Sequence, residues 1–310
     1  MIATRSGGGP ARSVARCALA VLLLIASGGA TAHGPLEEQI AKVTAEITRD
    51  PANAQLYVRR GELRRVHEEW DAALADYRRA GVLAPADDRI DFLRGRALQE
   101  AGRPTQAKAV LDVYVAQHPG HVEALVARAR TLRALGEHLA AVDDFSRAIE
   151  RSPRADPDLY LERARAQVAA GETAQAIAGI DAAIARLGPI PALQLFAIDL
   201  DVQQGRIDEA LARLDAGAGR SPRKETWLAR RGDILAQAGR PDEARTAYLG
   251  ALAAIEALPP GMRRTMAIAD LEGQVRSALA AERADGTGQG TLPASAPLPP
   301  RPAPAARAAR

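Results

Sequence analysis

Five glycines divide this chain at a near-constant interval. Gly102, Gly136, Gly171, Gly205 and Gly239 are separated by 34, 35, 34 and 34 residues, in the similar runs QEAGRPTQA, RALGEHLAA, VAAGETAQA, VQQGRIDEA and AQAGRPDEA. A fixed period of this length means that one supersecondary unit is repeated, and that each copy can bury its apolar face only against its neighbours. The chain is thereby restricted to an array of stacked units, with the glycine marking a tight turn inside each.

The other positions keep step with the glycines. In the first copy the framework residues are Tyr57, Gly61, Ala73, Tyr77, Ala80 and Pro85. The third has Leu125, Ala129, Ala141, Phe145, Ala148 and Pro153, and the sixth Leu228, Gly232, Ala244, Tyr248 and Ala251, with a late Pro259. The second (Gly95, Ala107, Leu111, Pro119), fourth (Tyr160, Ala164, Ala176, Ile180, Ala183) and fifth (Ala210, Leu214, Gly217, Pro222) follow, although Ile198 replaces the small residue of the fifth. This order of aromatic, small residue, alanine, aromatic, alanine and proline resembles the tetratricopeptide-repeat family over about residues 54–258. The first copy departs at the turn, where Glu68 stands in the glycine slot.

The resemblance implies an all-α fold, a right-handed α-solenoid of about six helix-turn-helix repeats spanning 54–87, 88–121, 122–156, 157–190, 191–224 and 225–258. The residue types explain themselves physically. A small residue on the first helix lets the second approach closely, and Tyr77, Leu111, Phe145, Ile180, Leu214 and Tyr248 fill what space remains. Proline ends the unit because it cannot continue a helix. Only 3% of the residues are aromatic and alanine dominates the 47% that are hydrophobic, which suits closely packed helices and disfavours a β-sandwich. Leu36, Ile40, Val43 and Ile47 predict an opening helix within 33–53, and Ile268, Leu271, Val275 and Leu279 a closing helix within 259–283. Residues 284–310, rich in proline and alanine with little to bury, are expected to form a disordered tail.

The N-terminus reads as a targeting segment. Arg5, Arg12 and Arg16 precede the apolar run CALAVLLLIA, and Ala30-Thr31-Ala32 offers a cleavage site. The run is too short for a bilayer span, so residues 1–32 are expected to be a cleaved signal peptide, leaving no stable membrane anchor and a periplasmic or secreted protein. Cleavage removes Cys17, the single cysteine, and begins the mature chain at His33. Without the +3 of this leader and the +2 of the tail, residues 33–283 carry a net −2. The basic overall balance therefore gives no support to a nucleic-acid partner.

Catalytic motifs are missing from the sequence: there is no G-x-G-x-x-G after a strand, no GxxxxGK[ST], no HExxH and no G-x-S-x-G. The chain is read as a non-enzyme needing no cofactor. His67, His118, His121 and His138 fall in turns and junctions and are expected to be exposed loop histidines. The stretch RVHEEWDAAL, which groups His67, Glu68, Glu69 and Asp71, aligns with the helix-to-helix turns of the other copies. His33 is the weak metal candidate, since its α-amino group and imidazole would together present nitrogen ligands to Cu(II).

Arg60, Arg94, Arg128, Arg163 and Arg231 each precede the small packing residue of a first helix, and are expected to lay their stems on the apolar surface and reach acids of adjoining helices. In the resembling family the first helices line a concave face. The corresponding positions predict a groove from Arg89, Phe92, Arg96, Val126, Arg130, Arg133, Leu161 and Arg165, cationic and apolar in alternation. Such a groove suits an extended acidic segment of a protein or peptide partner. The lysine and asparagine with which some relatives clamp a C-terminal carboxylate are replaced in the first copy by Val58 and Glu62, so that activity is not carried over. The expected function is an exported protein-interaction scaffold. The alternatives are a copper- or zinc-handling protein using His33 and the loop histidines, and an envelope structural or assembly factor.

Overall fold

The structure is a computed structural model that describes residues 34–285. Among these residues there are fifteen helices and no strand. The chain divides after Ala155 into two compact units. In the first, α1 (Gly34–Arg49) packs on α2 (Ala54–Val66), and the pairs α2 with α3 (Trp70–Leu83), α4 (Arg89–Glu100) with α5 (Pro104–Gln117), and α6 (Val122–Ala134) with α7 (His138–Arg151) stack in chain order. The second repeats the arrangement with α8 (Pro157–Ala169) and α9 (Thr173–Leu187), α10 (Pro191–Gln203) and α11 (Ile207–Arg220), and α12 (Glu225–Gln237) and α13 (Pro241–Glu256). A single turn, α14 (Pro260–Arg263), then leads to α15 (Met266–Asp285), which packs on α13.

Local signals start and stop these helices. The Asn53 and Asp156 side chains accept hydrogen bonds from the backbone N–H groups of Gln55 and Asp158, at 3.2 and 2.9 Å, and cap α2 and α8. Pro104, Pro157, Pro191 and Pro241 open α5, α8, α10 and α13, where a missing N–H costs nothing. In the first, second and sixth pairs the second helix closes on a glycine of the first. A Cβ on Gly95 would lie 2.7 Å from the Leu111 side chain, and one on Gly232 2.4 Å from the Tyr248 ring. Tyr77, Leu111 and Phe145 in the first unit, and Ile180, Leu214 and Tyr248 in the second, are all buried.

The intra-pair turns share one backbone form. Gly102, Gly136, Gly171, Gly205 and Gly239 have φ between 70° and 82°, and the N–H of the following residue donates to a carbonyl five positions back, as in Arg103 to Leu98 at 2.9 Å and Glu137 to Leu132 at 2.9 Å. Glu68 adopts the same form, with φ of 62° and Glu69 N–H donating to the Arg64 carbonyl at 2.8 Å. The repeat geometry thus overrides the local preference of a glutamate, because the stacking of α2 on α3 requires the turn. Substituting Glu68→Gly removes the left-handed strain but adds unfolded-chain entropy, for a net gain of about 0.5–1 kcal/mol. Urea unfolding followed by circular dichroism should show a higher midpoint with an unchanged slope.

Candidate functional site

The arginines that precede the small packing residues are held by carboxylates. Arg60 donates through Nε and Nη2 to the two oxygens of Asp76, at 2.9 and 2.6 Å, and Arg64 Nη1 donates to the same carboxylate at 2.8 Å. Arg128 repeats the fork on Asp144, at 2.7 and 2.8 Å, and extends Nη1 to Asp112 of the preceding pair at 3.2 Å. The hydrogen bond to Asp144 raises Arg128 above the ordinary guanidinium value against the opposing effect of burial. Arg231 donates to Asp215 of α11 at 3.1 Å, Arg94 pairs with Asp91 at 3.1 Å, and Arg163 lies over the Tyr160 ring. In the fifth copy, where Ala197 replaces this arginine, the buried Asp201 of α10 takes Arg206 and Arg213 instead. Asp76 and Asp144 are buried with their arginines around them, so these groups knit helices together.

The predicted groove residues fare differently from one another. Arg89 is exposed and forms a two-point pair with Asp87, both distances 2.8 Å. Arg96 donates to Glu62 at 2.6 Å and lies 5.3 Å from the centre of the Phe92 ring. Glu62 also accepts from the Tyr77 hydroxyl and from Arg65, which reaches on to Glu100 at 2.7 Å. Burial works to raise the Glu62 pKa, but Tyr77, Arg96 and Arg65 together hold it below the usual glutamate value. Val126 is half-buried against the core of the first unit, Arg130 is exposed and Arg133 is half-buried. In the second unit Leu161 is part of the core, while Arg165 is exposed over the Phe196 ring at 5.7 Å.

What the first unit assembles is a cleft of about 320 Å³ at the N-terminal ends of α2 and α4. Val58, Ile90, Phe92, Leu93, Tyr114 and His121 form its walls, and Gln55, Asp87 and Arg89 its polar rim. Four rings are packed together here. Phe92 stands edge-on to His121 with centroids 4.7 Å apart and lies 5.6 Å from Tyr114, and Tyr114 in turn lies 4.5 Å from His118. His118 Nε2 is 2.6 Å from Asp88.

This corrects one expectation about the histidines. His118, His121, His67 and His138 are half-buried rather than exposed, because stacking lowers each turn onto the neighbouring helix pair. Sequence reasoning also missed Tyr114, whose ring lies beneath the loop between α5 and α6. Its signal was available: Tyr114 stands where the other copies have alanine or glycine, and aromatics are scarce in this chain. In RVHEEWDAAL, the His67 ring nitrogen Nδ1 lies 2.8 Å from Glu69 within the turn between α2 and α3. Among the described residues no three His, Cys, Asp or Glu side chains gather as a metal site would require. His33, the proposed cleavage site and residues 286–310 lie outside the described residues. No described helix is long and apolar enough to cross a membrane.

Comparison with known proteins agrees with this architecture. A tetratricopeptide repeat-like domain profile matches residues 126–272, and a tetratricopeptide repeat profile matches residues 92–159. Cellulose synthase operon protein C of Xanthomonas axonopodis pv. citri (strain 306) is 32% identical over 224 residues, which is 67% of this chain and 15% of that protein. This chain therefore spans only a small part of that relative's length. A tetratricopeptide repeat protein from Parabacteroides merdae superposes with a TM-score of 0.51 at 19% identity, covering 78% of this chain and 93% of the other. PilW, a type IV pilus biogenesis factor, gives 0.50 at 21% identity, with 63% and 91% covered. At these identities the two structures speak to the fold alone. The glycine-punctuated helix pairs, the small-residue contacts inside them and the two matching profiles place this chain in the tetratricopeptide-repeat family.

Proposed function

We propose that this protein is an exported, non-catalytic scaffold that holds an extended, acidic segment of a partner protein on the first-helix face of its repeats. Tetratricopeptide repeats generally mediate protein–protein interaction. The observation that carries the reading here is the aromatic-walled cleft between α2, α4 and the α5–α6 loop, with Arg89 at its rim. Its apolar walls suit one bulky side chain of an extended segment, and the rim arginine Arg89 would meet a carboxylate. Since Arg89 and Arg96 already hold Asp87 and Glu62, an incoming acid exchanges one pair for another. Burial in the cleft therefore supplies affinity and the arginines supply register.

Val58→Lys places an ammonium in the cleft at a half-buried position. Capture from extracts of the native host should fall by about ten-fold or more, the loss expected when a central apolar contact is removed. Products of a cellulose synthase operon are the first baits to try, given the name of the Xanthomonas relative. Unchanged capture by a variant with intact helical content would overturn the cleft assignment. Intact-mass measurement of the same purified protein should show a chain beginning at His33; one that retains residues 1–32 would overturn export by cleavage.

A further inference from the structure

The second unit carries a larger cleft, about 550 Å³, at the corner where α10, α11 and the start of α12 meet. Its walls are Pro189, Pro191, Leu195, Pro222 and the ring of Trp227, with Arg220 and Arg223 on the rim. Leu195 is 42% exposed and presents its side chain to this cleft. The two clefts share two unit positions in their linings and differ in the rest. Leu195 stands where Phe92 does, and Gly217 where Tyr114 does, each pair 103 residues apart.

The aromatic wall is nevertheless built from a different element. At Gly217 no side chain projects from α11, and Trp227 from α12 fills the space: a Cβ on Gly217 would lie 2.6 Å from the Trp227 ring. An aromatic surface is thus present at this junction in both units, by two independent routes. The rim differs in charge. Arg223 is engaged by the buried Glu225 at 2.6 Å. Arg220 on the rim and Lys224, which follows Arg223 in the chain just outside the lining, are both exposed, and among the described residues no ion pair of either is seen. The rim is left with one uncompensated cation, Arg220, beside an open apolar wall, and a second, Lys224, next to it in the chain after Arg223.

We propose that this corner is a second docking site, separate from the cleft of the first unit, for a partner segment that inserts a bulky apolar side chain between Leu195 and Trp227 and sets carboxylates against Arg220 and Lys224. An anionic segment is selected by the sign of the rim. The chain's own residues 286–310, with three arginines and no acid, carry the wrong charge for it.

Trp227 reports on the site directly, since Trp70 is the only other tryptophan and lies in the first unit. In the full chain carrying Trp70→Phe, titration with an acetylated hexapeptide of alternating glutamate and phenylalanine should shift the Trp227 emission saturably. Replacing each glutamate of the peptide by lysine should abolish the shift. Arg220→Glu combined with Lys224→Glu, both at exposed positions that leave the Arg223–Glu225 pair in place, should weaken the acidic peptide by about ten-fold, and added salt should weaken its binding to the parent chain. Val58→Lys should leave this titration unchanged, so that failure at one cleft is distinguishable from failure at the other. Absence of a saturable shift, equal response to the lysine peptide, or full affinity in the doubly reversed variant would each overturn the proposal.

Discussion

Tyr77→Ala is expected to lower the stability of the first unit by about 3–5 kcal/mol, the range for emptying a buried aromatic site. Tyr77 is fully buried, its ring lies against Gly61 with no room for a Cβ between them, and its hydroxyl donates to Glu62. Gly61 cannot grow into the vacated space, so the cavity persists and the cost falls toward the upper part of the range. Loss of the hydroxyl has a further consequence. Glu62 keeps Arg96 and Arg65 but loses the donor that opposes the effect of its burial. Tyr77→Phe separates the two effects: it keeps the ring and should cost only about 1–2 kcal/mol, the value of one hydrogen bond to a partly buried carboxylate. Urea unfolding of both variants measures the split. Equal destabilisation by the two would mean that the ring contributes nothing beyond its hydroxyl.

Asp144→Ala should cost about 3 kcal/mol, because it strands the Arg128 guanidinium in a partly buried position. Asp144 is 2% exposed and receives both arms of Arg128 as well as Arg147 at 3.3 Å. The remaining contact of Arg128 with Asp112, and its own 18% exposure, hold the cost at the lower end of what breaking a buried pair brings. Replacing both members, Arg128→Met with Asp144→Leu, should recover most of the loss, since apolar groups of similar volume carry no desolvation cost. If the double variant is as unstable as the single one, the pair contributes specific geometry that packing cannot replace. Melting curves of the three variants decide between these outcomes.

The candidate site was only half legible beforehand. Helix position points to Phe92 and Arg89, and both line the cleft of the first unit. Leu161, chosen by the same rule, is a core residue. Helical periodicity assigns a side chain to a face, but its exposure depends on how closely the next pair packs against that face. Charge was harder still to anticipate. A run of arginines along first helices suggests a cationic surface, whereas Arg96 reaches a glutamate 34 residues earlier and Arg89 folds back onto Asp87. Such pairs depend on side-chain reach across helices, which a count of residues does not contain.

Sequence alone determined the period, the pairing of helices and the residues that fill their interior, because each of these is written as a local pattern repeated about every 34 positions. It also marked the turn slot that Glu68 occupies, since the alignment of the glycines predicts it. The left-handed backbone at Glu68, the burial of the histidines over Tyr114 and the placement of Trp227 against Gly217 were decided by tertiary structure. In each case the deciding contact joins segments from different helices. Packing density and the turn geometry required by stacking outweigh the preference of any single residue.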